Sequence, residues 1–254
     1  MVRCAALAPW IVAGVAAGLW AVAPSTAAPS AGEWSGASAL APLAASAVAV
    51  APLAPADRLA AAPADTKLAL FNGKDLAGWK QILGDQGADP AKTWSIVDGV
   101  IRCTGTPAGY LRTEQSFKNY FLVVEWRWPE NPTNSGVLLH MQGDDRVWPK
   151  SVEAQLQSGN AGDFWFIDGA TAKVDDARRN PGAAINVFAL TKAEKKPGEW
   201  NRYEITCIDG TVILVVNGEL MNIGRDCTPS EGHICLQSEG SPIEFRKVDL
   251  TPIP

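Results

Sequence analysis

Apolar and polar residues alternate with a period of two along much of the chain after residue 65, which is the pattern of half-buried β-strands. The alternating segments are short, and no helical pattern of ten or more residues occurs among them. Seven segments are predicted to be strands, at residues 121–128, 136–142, 152–157, 202–208, 212–217, 233–238 and 243–250.

Turn sequences separate these segments. Asp98-Gly99 and Asn217-Gly218 are dipeptides of the kind that form tight turns. Asp209-Gly210 stands between RYEITCI and TVILVVN, so we predict a hairpin with a two-residue turn there. Many short strands joined by tight turns in a chain of this length indicate a sandwich of two antiparallel sheets of the jelly-roll type.

The strand predicted at residues 121–128 (FLVVEWRW) divides its side chains into two sets. Neighbouring side chains of a strand point to opposite faces, so Glu125 and Arg127 share one face while Trp126 and Trp128 share the other. We therefore expect both tryptophans to be buried. The charged pair either faces a ligand or forms an ion pair that braces the sheet.

Other predicted strands carry polar rows that contain His140, Glu153, Gln155, Gln237 and Glu239. These rows combine acceptors with planar donors and hold almost no lysine, a mixture that suits the hydroxyl groups of a sugar. If the strands are neighbours, the rows merge into one polar groove on a concave sheet face. The alternative is that each row is the ordinary solvated face of an antiparallel strand.

Aromatic residues close to these rows are candidates for stacking against a sugar ring. They are Trp148, Phe164 and Trp165. For each of them the alternative is burial in the core.

Composition limits the possible partners. The chain is 47% hydrophobic and 19% charged, with a formal net charge of -5 at pH 7. It lacks the excess of lysine and arginine that binds the phosphate backbone, so we expect no nucleic-acid partner.

The first 64 residues are rich in alanine and proline and carry few charges. Arg3, the apolar run that follows it and the small residues around Ala27 and Ala28 predict a signal peptide over residues 1–28. We therefore expect export to the periplasm or the medium, without stable membrane insertion after cleavage; an uncleaved anchor is the alternative. Residues 29–64 are predicted to be a disordered linker, and residues 65–254 the folded domain.

Four cysteines follow the predicted leader: Cys103, Cys207, Cys227 and Cys235. An even number in an oxidising compartment permits disulfides, with three possible connectivities. The alternative is that they are small buried apolar side chains, which suits the strand pattern around Cys207. None of the spacings is of the CxxC type that binds zinc.

Longer stretches of the domain match a known family. They include LFNGKDLAGW (70–79), WSIVDGVIRC (94–103), NSGVLLH (134–140), VWPKSVEAQLQSGNAGDFW (147–165) and GHICLQSEGSPIEFRKVDL (232–250). Over residues 66–253 the chain resembles the 3-keto-disaccharide hydrolase domain family. The resemblance implies an all-β, concanavalin-like jelly-roll sandwich similar to family 16 glycoside hydrolases, and a hydrolase or lyase activity on glycosides oxidised at the third carbon of the sugar.

For such a substrate, the ketone acidifies the hydrogen on the second carbon, and elimination then expels the group on the first carbon. The reaction needs a base, a group that stabilises the enolate and a proton donor. We assign Glu153 as the base, and Arg127 and His140 as the groups that stabilise the enolate oxygen. Glu125 or Asp163 is the candidate for the acid or for an orienting group.

Six further residues are expected to bind the glycoside substrate: Gln155, Asn134, Trp148, Trp165, Gln237 and Glu239. Two histidines exclude a three-histidine metal site, but a divalent cation held by His140, a carboxylate and water stays open. The alternative function is a non-catalytic carbohydrate-binding module, which would rely on exposed tryptophans and tolerate the loss of Glu153.

Overall fold

Two antiparallel β-sheets make up residues 67–254, the part of the chain that the computed structural model describes. The predicted signal peptide and linker lie outside the described residues. Among residues 67–254, no helix is long and apolar enough to cross a membrane.

The strands, in chain order, are β1 (Leu68–Ala69), β2 (Trp79–Leu83), β3 (Trp94–Val97), β4 (Val100–Cys103), β5 (Gly109–Thr113), β6 (Tyr120–Arg127), β7 (Gly136–Gln142), β8 (Lys150–Gln155), β9 (Phe164–Ile167), β10 (Thr171–Lys173), β11 (Arg179–Asn180), β12 (Ala183–Val187), β13 (Asn201–Ile208), β14 (Thr211–Val216), β15 (Glu219–Thr228), β16 (His233–Ser238) and β17 (Ile243–Pro252). A short α-helix, α1 (Pro90–Thr93), precedes β3, and a 3₁₀ helix (Asp176–Arg178) precedes β11. The predicted all-β class is confirmed.

The nine-stranded sheet has the order β10-β15-β14-β13-β6-β17-β4-β3, with β1 paired to β17. The eight-stranded sheet has the order β11-β12-β9-β8-β7-β16-β5-β2. Strands that are distant in sequence therefore lie side by side, and the polar rows of β8, β7 and β16 are neighbours, as the groove hypothesis requires.

The predicted hairpin is present between β13 and β14, where Ile208 pairs with Thr211. Asp209 and Gly210 form the turn with φ angles of 45° and 74°. Two consecutive positive φ angles match the turn type that follows the natural twist of antiparallel strands, which explains the preference for this dipeptide.

The inward faces of both sheets form one hydrophobic core. Trp126 and Trp128 are 0% and 1% exposed, which confirms the prediction from strand alternation. Trp126 lies against Tyr203 of the neighbouring strand β13, with 5.6 Å between the ring centroids. Burial of an aromatic side chain of this size stabilises the fold by about 1.5–3 kcal/mol.

All four cysteines of the described residues are free thiols buried in the structure, so the alternative of apolar burial holds rather than disulfide pairing. Burial raises the pKa of Cys103 to about 11 and that of Cys207 to about 12. These thiols are therefore un-ionised and unreactive at neutral pH.

One end of the outer face of the eight-stranded sheet is covered. Tyr110, Leu138, Met141 and Cys235 form a second, small hydrophobic cluster there. The loop between β7 and β8 is tied to this end because Asp145 accepts hydrogen bonds from side chains of β2 and β5. A groove lies on another part of this outer face.

Candidate functional site

A groove with a volume of about 390 Å³ lies on the open part of the eight-stranded sheet. Its polar floor comes from β8 and from residues next to β7 and β16, while β9, β12 and the β7–β8 loop supply an apolar wall. The lining residues are Asn134, Trp148, Glu153, Gln155, Gln157, Trp165, Ile167, Ile185 and Glu239.

Glu153 lies at the bottom of the groove. On β8 it pairs with Leu138 on one side and Trp165 on the other, and only 4% of it is exposed. Its Oε1 atom is buried and has no hydrogen-bond partner among the described residues. A buried carboxyl group without a partner costs free energy when it is ionised, so the site favours its neutral form.

Gly136 makes room for the Glu153 side chain. A Cβ atom at residue 136 would lie 2.1 Å from Oε1 of Glu153 and 2.9 Å from Oε1 of Gln237. Any larger residue would displace both groups, because the obstruction comes from the first atom of the side chain. The two side chains therefore converge over the glycine from opposite neighbouring strands.

Gln237 is a second buried polar group at this point. It is 2% exposed, and neither its Oε1 nor its Nε2 atom has a hydrogen-bond partner among the described residues. Gln237, predicted to bind the substrate, is not among the residues that line the groove, so its amide is enclosed beside the Glu153 carboxyl group rather than facing the groove interior.

Glu239 is the other carboxyl group of the groove. It follows β16 directly, and its backbone forms an isolated bridge with Asn134 on the neighbouring segment. Burial raises the pKa of Glu239 to about 7, although a hydrogen bond with the Asn134 side chain lowers it. Glu239 therefore gains and loses its proton near neutral pH.

Glu153 and Glu239 act on each other electrostatically. Burial raises the pKa of Glu153 well above the usual 4.5, and the charge of Glu239 raises it further. Of the two, Glu153 holds its proton more strongly, because it is the more deeply buried. Near neutral pH, Glu153 thus keeps its proton while Glu239 changes between its two forms, so the groove can hold an acid beside a base.

A second carboxyl group is absent from β8 and the residues just after it, because positions 155 and 157 are glutamines. The structure supplies it from the end of β16, eighty-six positions further along the chain. Glu239 was predicted to bind substrate, and its place in the polar row of β16 was the signal.

The apolar wall gives the groove a surface for the face of a sugar ring or an aglycone. Trp165 is half-buried beside Glu153, whereas Trp148 is 40% exposed at the rim. Ile185, 49% exposed, lies at the rim as well. Of the three aromatic candidates, only Phe164 is in the core.

Glu125 and Arg127 do not share a face with Glu153. They lie on β6 of the nine-stranded sheet, and their side chains point away from the core, as those of Glu153 and Gln155 do on the other sheet. The two pairs are therefore on opposite surfaces of the sandwich. The prediction that these residues converge on one site is wrong, because alternation fixes faces within a strand but does not assign a strand to a sheet.

The alternative interpretation of that pair, an ion network that braces the sheet, fits the structure. Glu125 binds Arg246 and Arg202 at 2.6 and 3.3 Å, and Arg127 binds Glu244 at 2.6 Å. Arg127 and Arg246 also stack on the Trp200 ring, at 4.6 and 4.5 Å from its centroid. Burial raises the pKa of Glu125, but the hydrogen bond from Arg246 and the surrounding positive charges outweigh it and lower the pKa.

We expect Glu125→Gln to lower the free energy of unfolding by about 1–2 kcal/mol, because it leaves several cations without their counter-charge. Ligand binding in the groove should not change. Chemical unfolding and binding measured on the same preparation test both statements. A loss of binding with an unchanged stability would contradict this structural role.

His140 was predicted to lie on the polar face of β7, but it lies beside the core. Its φ angle is 54°, and the pairing of β7 with β8 shifts register between Leu139 and Gln142. This bulge turns the ring toward Tyr120, 5.4 Å between centroids, and its Nε2 atom lies 3.1 Å from the carbonyl oxygen of Lys118. Burial lowers the pKa of His140, so the ring is neutral at pH 7.

Asp163 is also absent from the groove lining. Its carboxylate accepts hydrogen bonds from the backbone N–H of Ala189 at 2.7 Å and from the amide of Asn186 at 3.4 Å. These bonds fix the chain after β12 against the start of β9. Asp163 therefore holds the wall of the groove rather than facing its interior.

The sequence left open a divalent-cation site formed by His140 and a carboxylate. His140 does not face the groove carboxyl groups, because the bulge directs its ring to Tyr120 and Lys118. Within residues 67–254, no three histidine, cysteine, aspartate or glutamate side chains are grouped closely enough to hold a metal ion.

We expect Glu153→Gln to stabilise the protein at alkaline pH. Because the pKa of Glu153 is raised in the fold, the folded state keeps a proton that the unfolded chain loses above about pH 4.5, and this stabilisation of the neutral form is lost as the pH rises. The variant cannot ionise, so its advantage in unfolding free energy should grow from pH 5 to pH 8, by about 1.4 kcal/mol for each pH unit over which the folded protein keeps the proton and the unfolded chain does not. If the difference in unfolding free energy between the variant and the unmodified protein is the same at both pH values, the carboxyl group is not protonated in the fold.

Comparison with known proteins agrees with this architecture. A curated 3-keto-disaccharide hydrolase of Bacteroides thetaiotaomicron is 28% identical over 176 residues, which are 61% of this chain and 57% of that protein. The chain thus spans a little over half the length of this relative.

Solved structures share the fold. A glycosyl hydrolase candidate from Parabacteroides distasonis superposes with a TM-score of 0.57 and 24% identity, over 75% of this chain and 95% of that chain. A non-specific endo-β-1,3(4)-glucanase of family GH16 superposes with a TM-score of 0.51 and 13% identity, over 75% and 92%. The predicted likeness to family 16 glycoside hydrolases is confirmed at the level of the fold.

The family comparison covers nearly the whole described domain and includes every residue of the groove. The model of the 3-keto-α-glucoside-1,2-lyase-like domain matches residues 67–251. The chain belongs to this family.

Proposed function

We propose that the protein cleaves the glycosidic bond of 3-keto-glycosides by elimination, followed by hydration of the unsaturated product. The observation that carries the proposal is the pair of groove carboxyl groups, one of which holds a proton at neutral pH while the other titrates near pH 7. The family and the name of the curated relative support the choice of an oxidised sugar as substrate.

In the first step, the carboxylate of Glu239 removes the proton from the second carbon of the sugar. The electron pair of that C–H bond moves toward the ketone and forms an enolate. A carboxylate whose pKa is raised to about 7 is a stronger base than one with an ordinary pKa, which suits removal of a proton from carbon.

In the second step, the enolate reforms the ketone and expels the oxygen on the first carbon, which leaves a double bond between the first and second carbons. The carboxylic acid of Glu153 donates its proton to the departing oxygen. For hydration the roles reverse: Glu153, now ionised, takes a proton from water as it adds to the first carbon, and Glu239 returns a proton to the second carbon. Both groups end in their starting states.

These roles differ from the sequence-based assignment of Glu153 as the base. The change follows from the burial of Glu153 without a partner, which keeps the proton on that residue. Neither Arg127 nor His140 lines the groove: Arg127 lies on the opposite surface of the sandwich, and the His140 ring is directed to Tyr120.

Two carboxyl groups also satisfy the requirements of an ordinary glycosidase, so their number does not separate the two reactions. The matched family model and the name of the curated relative favour elimination, because both point to a sugar oxidised at the third carbon.

Isotope exchange tests the proposal. We expect the protein to exchange the hydrogen on the second carbon of 3-keto-trehalose with deuterium from D₂O and to cleave this sugar, while trehalose is left intact. The rate of exchange should fall as the pH drops below about 7, because Glu239 becomes protonated. Cleavage of trehalose at an equal rate would show that a conventional glycosidase is the correct description.

The carbohydrate-binding module remains the second candidate, and the exposed Trp148 at the rim is the observation that favours it. A binding module would bind trehalose and its 3-keto form without turnover and would keep its affinity after Glu153→Gln. Neither exchange nor cleavage in the experiment above would support this candidate.

A further inference from the structure

Two glutamines of the groove have amide groups whose orientation is fixed by the protein. Oε1 of Gln155 accepts hydrogen bonds from the backbone N–H groups of Leu156 and Gln157, both at 2.8 Å. A backbone N–H can only donate, so the atom that faces these groups must be the oxygen. The NH₂ group of Gln155 is left to donate to a ligand.

The amide of Gln157 is oriented through two other residues. Lys192 donates from Nζ to Oδ1 of Asn160 at 2.8 Å, and Asn160 donates from Nδ2 to Oε1 of Gln157 at 2.7 Å. An ammonium group can only donate, so it sets Asn160, and Asn160 in turn sets Gln157. The NH₂ group of Gln157 is the end of this relay, at a residue that lines the groove.

Glu239 and the two glutamines thus offer different hydrogen-bonding groups to a ligand in the groove. Glu239 accepts hydrogen bonds in its ionised form, whereas Gln155 and Gln157 present donors. A complementary ligand carries two groups. Toward the glutamines it has an oxygen atom that can accept hydrogen bonds but cannot donate them, and toward Glu239 it has a C–H or O–H group. A ketone next to a carbon that bears a hydrogen has this pattern.

We propose that Gln155 and Gln157 bind the ketone oxygen of the substrate, and that Asn160 and Lys192 are positioning residues that keep the NH₂ group of Gln157 directed into the groove. The inference rests on the proposed function, and it names the groups that hold the enolate oxygen. Amide N–H donors aimed at a developing negative charge stabilise it without having to reorganise.

Asn160→Asp tests the relay without a change at the groove surface. Aspartate has the same shape and keeps the contact with Lys192, but it has no donor for Gln157. The amide of Gln157 is then expected to turn its NH₂ group to the introduced carboxylate and its oxygen to the ligand. A ketone cannot donate to that oxygen, but a hydroxyl group can, so the change penalises the 3-keto sugar selectively.

We expect Asn160→Asp to weaken the binding of 3-keto-trehalose about tenfold, the value of one hydrogen bond, and to leave the binding of trehalose within about twofold. Affinities are measured by calorimetry in the Glu239→Gln background, so that the ligand is not consumed. Lys192→Met, at an exposed residue, releases Asn160 and should produce a smaller loss in the same direction.

Gln157→Met provides the matched control, because it removes the amide on which the relay acts. In that background Asn160→Asp should have no further effect on either ligand. Equal losses for both sugars, or an additive loss in the double variant, would overturn the relay. If the unmodified groove binds neither sugar, the proposed function fails instead, and the two failures are distinguished in one experiment.

Discussion

Glu239→Gln is expected to reduce the exchange of the hydrogen on the second carbon by roughly 10²- to 10⁴-fold, the usual contribution of a general base. Cleavage should fall by the same factor, because no enolate forms without removal of this proton. The amide keeps the size of the side chain and its contact with Asn134, so we expect affinity for 3-keto-trehalose to change little. Deuterium incorporation measured by mass spectrometry and product formation give the two rates.

Glu125→Gln is the matched control for this variant, since it makes the same chemical change on the opposite surface of the sandwich. It should retain both rates. The exchange rate of the unmodified protein should also follow a titration with a midpoint near pH 7, and this dependence should disappear in Glu239→Gln. Retention of exchange in Glu239→Gln would eliminate this residue as the base.

Glu153→Gln is expected to separate exchange from cleavage. The variant has no acid for the departing oxygen, so cleavage of 3-keto-trehalose should fall by roughly 10²- to 10⁴-fold. Exchange should continue, because the glutamine resembles the protonated form of Glu153 and Glu239 keeps its environment. The midpoint of the exchange titration should therefore stay near pH 7.

The leaving group gives an independent measure of the same step. A nitrophenolate leaves the sugar without needing a proton. Glu153→Gln should therefore cleave a 3-keto-glucoside of nitrophenol at nearly the rate of the unmodified protein. Loss of exchange in this variant would return the role of base to Glu153. A loss of cleavage that does not depend on the leaving group would mean that Glu153 is not the acid.

Strand alternation predicted the inward and outward sets of side chains correctly within most strands. Trp126 and Trp128 are buried as expected, and the Asp209-Gly210 hairpin is present, because both features depend only on residues close together in sequence. The order of strands depends on long-range pairing, for which a single sequence carries little information. The assignment of Glu125 to the groove failed at this step.

The polar rows predicted from the sequence meet in one place where the strands that carry them pair with each other. Glu153, Gln155, Gln237 and Glu239 come together because β8, β7 and β16 are consecutive in the eight-stranded sheet. His140 departs from its row because a bulge inserts one residue and reverses the phase of β7. A bulge leaves no clear mark in the pattern of apolar residues, so the sequence could not reveal it.

The distribution of tryptophans makes the domain suitable for optical detection of ligands. Trp148 and Trp165 line the groove, whereas Trp94, Trp126 and Trp128 are almost fully shielded from solvent. Fluorescence from the two groove residues responds to displacement of water by a sugar, while emission from the shielded indoles stays constant and provides an internal reference. Occupancy of the groove can therefore be followed by intrinsic emission, with no attached dye and no turnover.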